Sequence, residues 1–227
     1  MNLAAFKTTI SQKLNFQYQQ IVDYKKRPQN WIEMLYRPNH MMGYQNVDLF
    51  FKSLNTQQKV DLDIQIFDQL PDILHNEKPR RLSVNLMPNS LLSGDFRQKF
   101  SHLMQTRAID PQNICIEIIE TQSMPPLCSS ALDLLKVFRS HGGWVALDDF
   151  GSGFAHWELL QTGMIDVIKV ASQNLSHHSV GYDYILGLSR FAECMNINTV
   201  LEGVETEEDY IRGKTQGFHN FQGWLFK

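Results

Sequence analysis

Short runs of β-branched and aromatic residues recur along this chain, separated by stretches whose apolar residues fall at helical spacing. The runs are 15–23 (NFQYQQIVD), 30–37 (NWIEMLYR), 80–87 (RRLSVNLM), 113–120 (NICIEIIE), 144–150 (WVALDDF), 167–172 (VIKVAS), 198–205 (NTVLEGVE) and 221–226 (FQGWLF). Each reads as a strand. Only YKKRPQ separates the first two, which is too short for a crossover helix and predicts an antiparallel hairpin. Later connections contain VDLDIQIFDQLPDIL, DFRQKFSHLMQTR, SSALDLLKVFRSHGG and DYILGLSRFAECMNI, all amphipathic. In the first of these, Val60, Ile64, Phe67 and Leu70 share one face. Gly142-Gly143 is a helix stop.

Strands alternating with helices predict an α/β fold with a mostly parallel sheet and the helices outside it. Eight strands in this length fit a closed (β/α)8, TIM-like barrel with an antiparallel first strand. An open doubly wound sheet would carry a glycine-rich loop early, and the sequence has neither G-x-G-x-x-G nor a P-loop. No linker composition interrupts the alternation, so residues 1–227 are expected to form a single domain.

Composition narrows the function classes. The 227 residues are 43% hydrophobic and 20% charged, which excludes a disordered chain or a disulfide scaffold. No window approaches 18 apolar residues and the first residues lack an apolar core, so neither membrane insertion nor a secretory signal is expected. Three cysteines without C-x-x-C pairing suit a reducing, cytoplasmic setting. A net charge of -3 is no footprint for duplex nucleic acid.

Barrel chemistry sits at the C-terminal ends of the strands. There the chain places Glu33 and Arg37, Asn85, Glu117 and Glu120, Asp148-Asp149, Lys169, Glu202 and Glu205, and Gln222. A lone carboxylate at a strand end is usually a solvated rim residue. Several of these interrupt apolar runs, however, and a carboxylate inside such a run must be paired, protonated or metal-bound. Glu33, Glu117, Asp148, Asp149 and Glu202, with the Asn85 oxygen, would make an oxygen-only cage suited to Mg2+ or Mn2+. Two adjacent Asp residues suit two ions, and paired ions activate water for phosphoryl chemistry. Lys169, within Val-Ile-Lys-Val, is either a surface lysine of an edge strand or an inward cation acting on that water. His141, His177 and His178 read as solvated, and the four tryptophans as core or rim residues.

In order along the chain, these motifs resemble those of the EAL domain, a bacterial phosphodiesterase that opens cyclic di-GMP. Glu33-Met34-Leu35 resembles the signature tripeptide, and residues 18–23 (YQQIVD) resemble its opening Y-Q-P-I-V-D. Val84-Asn85-Leu86 resembles V-N-L, residues 117–120 (EIIE) resemble E-x-T-E, and residues 148–153 (DDFGSG) match D-D-F-G-x-G. Lys169 falls in K-x-D, residues 202–205 in E-G-V-E, and Gln222-Gly223 in Q-G-Y. The resemblance spans about Phe16 to Phe226. It implies that Glu33, Asn85, Glu117 and Asp148 hold one divalent ion, that Asp148 and Asp149 share a second, and that Glu202 completes the site. It implies further that Lys169 acts on the attacking water and that Glu120 anchors the loop 151–157. Gln19 and Arg37 would contact the guanine and phosphate of cyclic di-GMP, and Gln222 would order water or metal. Ala171 replaces the Asp of K-x-D, Met34 the central Ala, and Trp224 the Tyr of Q-G-Y. Family members often pair through helices near the fifth and sixth strands, so a homodimer is an expectation. The function implied is hydrolysis of cyclic di-GMP to linear pGpG. The alternative is a catalytically degenerate module that binds the nucleotide as a receptor or regulates a protein partner.

Overall fold

The structure, a computed structural model, describes residues 14–38, 46–119, 126–151, 157–175 and 182–227. Eight strands close into a barrel in chain order: β1 (Phe16–Asp23), β2 (Pro28–Tyr36), β3 (Arg81–Leu86), β4 (Ile114–Ile119), β5 (Trp144–Asp148), β6 (Val167–Ala171), β7 (Asn198–Glu202) and β8 (Asn220–Gln222). β1 runs antiparallel to both neighbours, β2 and β8, and all other pairs are parallel. The reversal comes from the predicted tight turn. Asp23 accepts the backbone N–H groups of Lys25 (2.8 Å) and Arg27 (2.9 Å) and the Arg27 Nε (2.8 Å), while Lys26 takes a left-handed φ of 59°.

The connection from β2 to β3 carries α1 (Val47–Ser53) and α2 (Thr56–Glu77). α2 opens with a reciprocal cap between Asn55 and Gln58 and buries Val60, Phe67 and Leu70. The predicted face holds, with Ile64 only partly buried. α3 (Pro88–Leu92) and α4 (Gly94–Gln105) follow β3, and α5 (Ser129–Ser140) follows β4. Phe67, Phe96, Phe100 and Phe138 from α2, α4 and α5 meet in mostly edge-on or tilted ring contacts of 4.9–5.9 Å, with Phe96 and Phe100 stacked.

The last strand is shorter than the sequence pattern predicts. After Gln222 the chain turns into a 3-10 segment at Trp224–Phe226. Gly223 explains the break, because it packs on the Val204 backbone, where a Cβ would lie 2.1 Å from the Val204 oxygen. β5 and β7 also end early, since Asp149 (φ 55°) and Gly203 (φ 63°) leave the ladder in left-handed conformations. Among the described residues, no helix is long and apolar enough to cross a membrane.

Candidate active site

Strand alternation builds the site in two layers. Side chains two residues apart share a face. The barrel floor holds Ile21, Trp31, Cys115, Ala146, Val167 and Val200 in one apolar cluster. Trp31 donates its indole N–H to the Ser83 hydroxyl at 2.9 Å and meets Trp144 edge-on at 5.5 Å. Two residues further along the same strands come Glu33, Glu117, Asp148, Lys169 and Glu202, and Asn85 stands two beyond Ser83. The apolar floor seals the barrel, and the polar layer above it faces the mouth.

Lys169 is the hub of that layer and is fully buried. Its ammonium donates to Glu117 Oε2 at 2.7 Å and Glu33 Oε2 at 3.0 Å. It also pairs with Asp148 Oδ1 at 3.4 Å and with Glu202. The lysine therefore points into the barrel and is not a surface residue of an edge strand. Asn85 donates to Glu33 Oε1 at 2.9 Å, and the Gln222 amide donates to Glu33 Oε2 and to Gln19 Oε1 at 3.2 Å.

Burial acts against every charge here, and neighbours decide the outcome. Burial pushes the Lys169 ammonium down, but Asp148, Glu117, Glu202 and Glu33 outweigh it and hold its pKa well above the usual lysine value. Glu33 meets the same burial penalty. Lys169, with hydrogen bonds from Gln222 and Asn85, keeps its pKa below the ordinary carboxylate value. Burial and the Glu33 charge raise Glu117 well above that value, and burial and Asp148 do the same for Glu202. Asp149 is raised by burial and by Asp148.

Four carboxylates face one ammonium, so negative charge remains in excess. Glu117 Oε1 is buried without a hydrogen bond, and the buried Asp148 Oδ1 has only its 3.4 Å ion pair with Lys169. Glu33, Glu117 and Asp148 each offer an oxygen within 4.8 Å of the others. Oxygen-only donors with surplus negative charge and incompletely satisfied buried oxygens fit a hard divalent cation. Asp149 lies at the mouth with its backbone in the left-handed region.

The acidic layer is flanked by two cavities that share Glu33, Leu35, Asp148 and Asp149. One, of about 590 Å³, reaches Arg37 and α2; the other, of about 650 Å³, reaches Gln19, Ala171, Glu202, Gln222 and Trp224. Arg37 donates to Gln17 Oε1 at 3.1 Å and does not touch the carboxylate cluster. Trp224 is 62% exposed at the second mouth, a rim residue, whereas Trp31 is floor. Glu120 and residues 152–156 of the glycine loop lie outside the described residues.

A family model described as the EAL domain matches residues 4–227. The chain belongs to the EAL domain family. The probable cyclic di-GMP phosphodiesterase PdeA of Escherichia coli strain K12 is 26% identical over 208 residues, covering 88% of this chain and 28% of PdeA. The cyclic di-GMP phosphodiesterase PdeB of Shewanella oneidensis is 32% identical over 146 residues, covering 63% of this chain and 17% of PdeB. This EAL domain thus spans less than a third of the length of those relatives. Klebsiella pneumoniae BlrP1, solved with manganese and cyclic di-GMP, matches 94% of the chain and 55% of its own with a TM-score of 0.73 and 28% identity.

Sequence reasoning placed the acidic layer but passed over Lys59 and Asp63, which line the first cavity from α2. The signal was present: Asp63 interrupts the apolar face of a helix between Leu62 and Ile66.

Proposed function

We propose that this EAL domain is a divalent-metal-dependent phosphodiesterase that hydrolyses cyclic di-GMP to linear pGpG. One water is consumed; its oxygen bonds to one phosphorus, the bond from that phosphorus to the 3′ oxygen breaks, and the 3′ oxygen leaves with a proton. The observation that carries this reading is the buried cluster of Glu33, Glu117 and Asp148 around Lys169, set between two cavities. A ligand with phosphodiesters at its centre and a base on either side matches that two-lobed form.

Glu33, Asn85, Glu117, Asp148, Asp149 and Glu202 are the residues that would hold the ions, which when bound supply Lewis acidity to a phosphate oxygen and to water. The chain's own residues set the geometry. Asn85 and Gln222 fix the two oxygens of Glu33 by hydrogen bonds, so its carboxylate cannot rotate. Lys169 holds Glu33, Glu117, Asp148 and Glu202 together, and with Glu202 it orients the water. Arg37 and Gln19, one in each cavity, contact the substrate, with Gln222 beside Gln19. The buried cluster excludes bulk water and strengthens each of these interactions.

The test is incubation of purified protein with cyclic di-GMP and Mg2+ or Mn2+, with pGpG read by chromatography. Appearance of pGpG only with metal supports the reading. Tight nucleotide binding without product would replace it with the receptor alternative.

A further inference from the structure

The first cavity extends well beyond the carboxylate cluster. From Glu33 and Asn85 it passes over the rim of β2 and β3 to α2, between walls that include Met34, Tyr36, Phe51, Ile66 and Met87. Lys59, Asp63 and Ile66 line it from α2 at i, i+4 and i+7, which is one helix face. Lys59 is half-buried, and among the described residues its ammonium has no ion-pair partner within contact distance. Asp63, one turn on, has its Oδ2 already engaged by the Met87 N–H at 3.0 Å and the Ser90 hydroxyl at 2.5 Å. Lys59 has therefore lost part of its hydration without a contact ion pair, although it feels the Asp63 carboxyl one turn on, and its ammonium faces a cavity with Met34, Tyr36, Phe51, Ile66 and Met87 in its walls.

Of the three cations that line this cavity, Arg37 is engaged by Gln17 and Lys52 is exposed, so the half-buried Lys59 beside apolar walls is the donor that suits a heteroaromatic ring with acceptors on one edge. The proposed reaction holds the phosphates at the carboxylate end, so the part of the substrate that reaches α2 is a base. We propose that Lys59 selects guanine over adenine by donating to the O6 and N7 acceptors of a purine held between the apolar walls. Both acceptors of guanine lie on that edge, and a lysine can serve them together. Adenine presents an amino group at the 6 position, which turns a donor toward the ammonium. This inference rests on the phosphodiesterase reading, because that reading places the phosphates.

The experiment measures equilibrium binding of cyclic di-GMP and cyclic di-AMP by calorimetry for wild type, Lys59→Met and Lys59→Arg, with circular dichroism to establish that each is folded. Wild type should prefer cyclic di-GMP. Lys59→Met should weaken cyclic di-GMP by about 10- to 100-fold, the loss expected for a hydrogen bond from a charged donor, and bring the preference close to one. Lys59→Arg should keep the preference. Equal weakening for both nucleotides would mean that Lys59 meets a phosphate, and it would overturn base selection. A guanine preference that survives in Lys59→Met would overturn the inference and leave the phosphodiesterase reading standing. Failure of wild type to bind either nucleotide would defeat both.

Discussion

Asp63 sets up a pH dependence of stability that can be worked from the structure. The residue is 3% exposed. Burial raises its pKa from an ordinary 3.8 to about 7, against the lowering effect of hydrogen bonds from Ser90 and Met87 and of the Lys59 charge. Above pH 4 the unfolded chain releases this proton while the folded chain keeps it until about pH 7. Folded protein then binds more protons than unfolded protein, so Asp63 costs stability as pH rises through this window. At about 1.4 kcal/mol per pH unit the loss comes to about 4 kcal/mol, complete by about pH 8. Asp63→Asn removes the ionisation and can keep both hydrogen bonds, because its Oδ1 can replace the single oxygen that accepts them. The variant should match wild type near pH 4 and become more stable by up to about 4 kcal/mol by pH 8. Urea unfolding of both proteins across pH 4–8 reads the difference, in which the other titrating groups cancel. Parallel curves, or an Asn variant less stable by the same amount at every pH, would mean that the buried carboxyl is ionised throughout, and the reasoning would fail.

Three further outcomes test the catalytic cluster. Glu33→Ala and Asp148→Ala should each lower pGpG formation by more than about 100-fold with the fold retained, because a lost ligand exceeds what a lost supporting contact costs; near-normal activity in folded protein would remove them from the site. Ca2+ should allow binding without turnover, since it takes looser and higher coordination than Mg2+ or Mn2+; turnover with Ca2+ equal to that with Mg2+ would reject the metal geometry. Ala171→Asp should raise turnover by about 10- to 100-fold at saturating Mn2+, because Ala171 lies in register with Glu202 and lines the same cavity; an unchanged initial rate would show that the missing carboxylate plays no part.

The barrel was legible because each connection length dictated a strand direction, and the acidic layer because its carboxylates broke apolar runs. The direction of Lys169 was not legible. Val167, Ile168, Lys169 and Val170 are all buried, so β6 has no polar face for a period of two to reveal. Helix Glu207–Thr215 escaped for the opposite reason. It is mostly polar, buries Tyr210 and Gly213, and is held at its start by a reciprocal Thr206–Asp209 cap, so little apolar periodicity marks it. The strand ends were overrun because an aromatic or β-branched residue, Phe150 or Val204, follows Asp148 and Glu202, while the backbone departs at Asp149 and Gly203. Lys59 was hidden because a lysine on an amphipathic helix reads as solvated until the groove beside it is seen.

The brevity of β8 bears on the order in which the molecule assembles. Three residues, Asn220–Gln222, join the sheet to β1 and close the cylinder. Gln222 and its partner Gln19 are 203 positions apart, so this seam pairs some of the most distant parts of the sequence. Contacts of such separation carry a high entropic cost and tend to form late. The same Gln222 side chain holds Glu33 in place. Zipping the seam and fixing that carboxylate are therefore one event, and a nascent or partly opened chain would carry the acidic residues without their final arrangement. Competence for chemistry would then arrive only with the final fold.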